Sequence, residues 1–184
     1  MRKVCVAMLG ARMHYAVPRL LYQAGYLSHF FTDSYSGNKQ RFSFLLSCLP
    51  VSARPNVLER WLGRFDAVLP PNMVSSFETL GFWYALARRR AKTRLEESLI
   101  YREAAVRFNR HIARIGLGKS DTVWGFNGAA LELFELAKKQ GRRCILEQTI
   151  LPRVLESKLL REEQFRWPAW EVDEEDRSMP LAMD

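Results

Sequence analysis

Residues 121–171 read DTVWGFNGAALELFELAKKQGRRCILEQTILPRVLESKLLREEQFRWPAWE, and this stretch decides the fold. Two short β-rich runs, Thr122–Phe126 and Arg143–Leu146, alternate with two helical patterns, Ala129–Gln140 and Arg153–Phe165. Gly141 ends the first helical pattern and Pro152 opens the second, each where its backbone preference suits it. Alternation of this kind builds a parallel sheet. The first run ends on Asn127-Gly128 and the second on Glu147-Gln148-Thr149. Open parallel sheets bind ligands outside the carboxyl ends of their strands, so both polar clusters fall where a site is expected.

The amino terminus repeats the pattern. Val4–Leu9 (VCVAML) is a continuous apolar run of the kind a doubly covered parallel strand needs. Gly10-Ala11-Arg12-Met13 turns the chain into a helix over His14–Gly25, with Pro18 in its first turn, and Leu27–Thr32 follows as a second strand closed by Asp33. The Gly-x-Gly-x-x-Gly fingerprint is absent, which disfavours dinucleotide binding by that route. Ser34–Gln40 is turn-like. Phe42–Val51 is apolar but too short to cross a bilayer, and reads as a core or interfacial helix. A short helix is predicted over Val57–Gly63 and a third strand over Phe65–Leu69. From Ser75 to Ile115 the pattern is helical with one break, closed by Gly116-Leu117-Gly118. The fold class is therefore α/β: a Rossmann-like open parallel sheet with helices on both faces and a helix-rich middle insertion. One domain over residues 1–170 and a loose acidic tail over 171–184 complete the expected organisation.

The 184 residues carry a net charge of +8, unevenly spread. Six acids against Arg177 leave 171–184 at −5, so residues 1–170 carry +13. Ten Lys and Arg lie within 87–119 against Glu96, Glu97 and Glu103. Such a run is ordinarily a solvated helix face; its functional reading is a surface for an anionic acceptor or a membrane. No reader motif accompanies the charge, so nucleic acid is disfavoured. Cys5, Cys48 and Cys144 are odd in number and lack metal spacing, which fits a reduced, cytoplasmic setting and no metal or cofactor. The phosphate-loop, zinc-helix and nucleophile-elbow motifs are all missing.

Position in the chain selects the candidate residues. Gly10 permits close backbone approach, and Ala11, Arg12 and His14 follow it at a helix start suited to an anion or a sugar hydroxyl. Asn127 and Gly128 cap a helix. Gln148 and Thr149 line the same edge. Glu147 ends an apparently buried strand, where desolvation would raise its pKa and suit it to act as general base, the catalytic assignment; a salt bridge to Arg153 is the plainer alternative.

The segment EQTILPRVLESKLLREEQFRWPAWE, with VWGFNG before it and the start VAMLGARMHYAVPRLLYQAG, resembles the amino-terminal half of bacterial family-4 glycosyltransferases of the GT-B fold. The likeness is most specific over Glu147–Glu171 and only general over 40–115. It implies an acceptor-binding domain facing, across a cleft, a second domain that holds a nucleotide-sugar donor. Gly10–His14, Asn127 and Glu147-Gln148 would line that cleft. Many members carry histidine or aspartate where this chain has Asn127 and Glu147. On this resemblance the chain is the acceptor half of an enzyme that moves a sugar to a glycan or lipid-linked acceptor. The donor domain would lie on a longer or second chain, so this half alone is expected to be inactive. Peripheral contact with the inner face of the cell membrane is expected. The alternative class is a non-enzymatic Rossmann-like module that recruits an anionic partner or membrane through its basic helices.

Overall fold

The computed structural model describes residues 2–39 and 56–168. Five strands form an all-parallel open sheet in the order β3-β2-β1-β4-β5. They are β1 (Val4–Met8), β2 (Leu27–Thr32), β3 (Val74–Ser76), β4 (Thr122–Phe126) and β5 (Arg143–Glu147). The described helices are α1 (Ala16–Gln23), α2 (Asn56–Leu62), α3 (Glu78–Arg90), α4 (Arg94–Ile115), α5 (Leu131–Lys139) and α6 (Arg153–Arg166). This is the α/β architecture expected from the alternation of strand and helix patterns.

The central strand explains the two layers. All five side chains of β1 are buried, and their alternation sends them to opposite faces. Val4, Val6 and Met8 join Phe30, Val74 and Phe126 against Val17 and Leu21 of α1. Cys5 and Ala7 join Phe31 and Val123 against Ala104, Phe108 and Ile112 of α4 and Leu133 and Ala137 of α5. Cys5 is fully buried, and desolvation pushes its thiol up to about 12 against the weaker pull of Arg142, so it packs as a small hydrophobe.

From β1 the chain winds outward through α1 to β2 on one face, and from β4 through α5 to β5 on the other. The winding reverses between β1 and β4, the switch point at which open sheets of this kind form a crevice at the carboxyl ends of their strands.

Two sequence expectations change. Phe65–Leu69 is a loop, and the third strand is Val74–Ser76 instead. The loop satisfies its polar groups through side chains: Tyr35 Oη donates to the Asp66 carbonyl at 2.9 Å and accepts from its amide at 3.2 Å, and Asp66 binds Arg19 at 2.9 Å. With those partners in place a ladder is not required. The helix expected over His14–Gly25 starts two residues later, after a 3-10 turn at Arg12–Tyr15. Phe42–Val51 and the acidic tail lie outside the described residues. No helix among the described residues is long and apolar enough to cross a membrane.

The helical stretch predicted from Ser75 to Ile115 begins only at Glu78, Ser75 and Ser76 belonging to β3, and from there it is an α-hairpin, α3 packed antiparallel on α4. Phe77 meets Phe108 and His111 at its base, Trp83 lies under the Arg107 guanidinium, and Tyr84 meets Tyr101 higher up. The turn is set by an N-cap and a back-reaching carboxylate: Thr93 Oγ1 accepts from the Glu96 amide at 3.1 Å and Glu96 accepts from the Lys92 amide at 2.7 Å.

Candidate functional site

The site is built where β1 and β4 leave the sheet. After Gly10 the chain passes through three consecutive left-handed residues, Met13, His14 and Tyr15, with φ of 47°, 46° and 59°. For non-glycine residues this costs about 1–2 kcal/mol each. The turn is held by Tyr15, which is 1% exposed, packs edge-on against Phe30 and Tyr35, and donates to the Ser34 carbonyl at 3.3 Å. Burying that ring directs Arg12 across the crevice and leaves Met13 and His14 exposed. Backbone strain concentrated at the mouth of a crevice is a mark of functional loops.

Arg12 is the hub. Its Nη1 donates to Asn127 Oδ1 at 3.2 Å and to Thr149 Oγ1 at 3.1 Å; its Nη2 donates to Tyr101 Oη at 3.1 Å and the Asn127 carbonyl at 3.5 Å. The guanidinium also lies 5.3 Å from the centre of the Phe126 ring. Thr149 donates to Asn127 Oδ1 through its hydroxyl at 2.8 Å and its amide at 3.3 Å. Residues from the β1 loop, the β4 end, the β5 end and α4 are thus tied into one cluster. Every hydrogen-bond partner of Arg12 among the described residues is a neutral oxygen, and no carboxylate pairs with it there. Asn127 Oδ1 is saturated with donors, which leaves its Nδ2 hydrogens for a ligand.

The candidate residues divide. Arg12, Asn127 and Thr149 converge by hydrogen bonds. Gly128 joins them by space: its φ is +75°, and a Cβ there would meet the Tyr101 ring at 3.0 Å. Gly10 anchors the loop by donating its amide to Asp33 at 2.9 Å, and Ala11 packs against the core. His14 is exposed on the strained turn. Gln148 turns away and donates to the Ile150 carbonyl at 2.6 Å.

The premise for Glu147 changes: β5 is an edge strand with Ile145 and Leu146 exposed, so the carboxylate does not end a buried strand. Its partner is the Trp124 indole, which donates at 3.0 Å; the side chain of Arg153, its alternative partner, lies outside the described residues.

Tyr101 is the member that sequence reading missed. It sits on a long helix with no local signal, and only the fold of the hairpin brings it over Gly128. Asp33 occupies the place, at the end of β2, from which an acid holds a ribose in dinucleotide sites. Here it is 1% exposed and committed to Arg64 at 2.7 Å as well as to Gly10. That arrangement agrees with the missing glycine fingerprint. Among the described residues no three His, Cys, Asp or Glu side chains converge as a metal cage.

The arrangement offers a cation, an amide NH2, two hydroxyls and aromatic surface in one crevice. Such a set can hold an anionic group or a sugar's hydroxyls. Comparison with models of protein families, with curated proteins and with solved structures gives no match.

Proposed function

We propose that the crevice between β1 and β4 is the acceptor site of a glycosyltransferase that takes its sugar from a nucleotide-sugar donor. The observation that carries this reading is Arg12, a guanidinium fixed by neutral oxygens at the switch point, with its charge open to an anionic acceptor. Asn127, Thr149 and Tyr101 supply directional polar groups around it, and the buried Phe126 ring backs the guanidinium. The sequence resemblance of Glu147–Glu171 and of the β1 loop to family-4 glycosyltransferases supports the same reading. On it, a second α/β domain or chain holds the donor opposite this edge, and transfer requires both.

In this scheme Arg12 neutralises and orients the acceptor, Asn127 and Thr149 fix its register, and Glu147 is the carboxylate nearest in sequence to the cluster that can accept a proton. The Trp124 indole bond fixes the Glu147 carboxylate, as a base needs.

Probing a glycan array that includes phosphate-terminated saccharides with the purified chain tests the acceptor role. Saccharide binding that falls at least about tenfold in both Arg12→Ala and Asn127→Ala, with the native circular dichroism spectrum retained, supports the reading. Absence of any saccharide binding, or equal binding by Arg12→Ala, contradicts it and favours the non-enzymatic module.

A further inference from the structure

The α3–α4 hairpin does more than supply Tyr101. Tyr101 stands level with Gly128 at the carboxyl end of β4, and α4 continues seven residues further back to Arg94. At 1.5 Å per residue the helix rises about 10 Å past that level. On the other arm, Gly81 presses on the Asp33 carbonyl at the end of β2, so Phe82–Arg90 also project beyond the sheet. The hairpin tip therefore stands on the same side of the molecule as the Arg12 crevice.

Its chemistry is one-sided. Residues 88–94 carry Arg88, Arg89, Arg90, Lys92 and Arg94 with no acid among them, and all five are exposed. Glu96 is tied to the Lys92 amide. Phe82 is 68% exposed and Leu86 38%. Phe82, Leu86, Arg89 and Arg90 follow helical spacing and form one stripe, while Leu80, Trp83 and Tyr84 face the core and α4. Phe82 and Leu86 thus place an apolar pair directly in line with two arginines. An aromatic and a leucine beneath a cationic rim match the headgroup-to-acyl boundary of an anionic bilayer, where apolar side chains enter and arginines meet phosphates.

We propose that the α3–α4 tip docks this chain on an anionic lipid surface, with Phe82 and Leu86 entering the interface and Arg89, Arg90 and Lys92 holding the headgroups, while Arg88, over the Tyr84 ring, adds its charge to the field. This holds the Arg12 crevice close to the bilayer plane. The docking does not depend on sugar transfer, and vesicle binding reads it separately.

Sedimentation of the full chain with vesicles of phosphatidylcholine alone, or mixed with phosphatidylglycerol, tests it. The chain binds the mixed vesicles and not the neutral ones, and binding weakens as salt rises. The triple change Arg88→Ser, Arg89→Ser and Arg90→Ser lowers affinity on the order of a hundredfold, at about fivefold per charge. Phe82→Ser weakens binding while leaving its salt dependence in place. No binding to the mixed vesicles, equal binding to neutral ones, or full binding by a natively folded triple variant overturns the proposal. Release from the vesicles by a single-stranded oligonucleotide that binds more tightly than they do also overturns it. Should the triple variant not fold, salt-independent binding by the unaltered chain, or undiminished binding by Phe82→Ser, overturns it instead.

Discussion

Arg12 shows how little of a site a residue's own neighbours in sequence reveal. Its importance comes from four hydrogen bonds to residues 89 to 137 positions away. A planar fork makes these contacts and an ammonium does not, so Arg12→Lys keeps the charge but loses the bridge. We expect it to lower stability by about 1 kcal/mol in urea titration and to leave ligand binding closer to Arg12→Ala than to the unaltered chain. His14 gives the opposite test. Its left-handed backbone is unfavourable for any side chain but glycine, so His14→Gly should raise stability by about 0.5–1 kcal/mol. A decrease in urea midpoint would mean that the imidazole holds the turn. The sequence named Gly10, Arg12, Asn127 and Thr149 because strand ends are legible from pattern. Tyr101 and the strained turn were not, since both are set by tertiary packing: Tyr101 by the α4 register, the turn by burial of Tyr15.

Among the elements, α3 is held by two features of its first turn. Gly81 lets the helix lie on the end of β2, where a Cβ would stand 2.8 Å from the Asp33 carbonyl. Gly81→Ala is therefore expected to cost about 1–3 kcal/mol, read as a lower denaturation midpoint. Glu78 accepts from the Tyr35 amide at 3.0 Å, Ser34 Oγ at 2.8 Å and the Trp61 indole at 3.1 Å. Burial opposes its charge, but these donors and Ser76 outweigh it and hold the carboxyl below its ordinary range. A depressed folded pKa gives stability that is present above the unfolded value near 4.5 and is lost as pH falls through the folded one. Glu78→Gln should thus lower the urea midpoint at neutral pH and show a flatter decline on acidification; a parallel decline would remove Glu78 from the acid limb. Strands β1, β2, β4 and β5 were readable because their apolar runs are bounded by charges and glycines. The three residues of β3 were too few to carry a pattern, and Phe65–Leu69 looked more like a strand until Tyr35 and Asp66 supplied its partners.

At the scale of the molecule, the reversal of winding between β1 and β4 is what makes a crevice, and the hairpin adds a basic wall that rises beside it. The proposed function rests on that conjunction: an open cation at the switch point, polar groups around it, and a charged tip on the same side. The doubly wound sheet was foreseeable from strand and helix alternation, whereas the direction in which the hairpin projects was not, because charge runs do not encode where a helix points. The central claim is that ligand enters between Arg12, Tyr101, Asn127 and Thr149. The most direct measurement is amide chemical-shift mapping with a phosphate-terminated saccharide titrated into the isotope-labelled chain. The expected result is saturable shifts confined to residues 10–15, Tyr101, Asn127, Gly128 and Thr149, all lost in Arg12→Ala. Shifts clustered elsewhere on the chain, or the same shifts in Arg12→Ala, would contradict it.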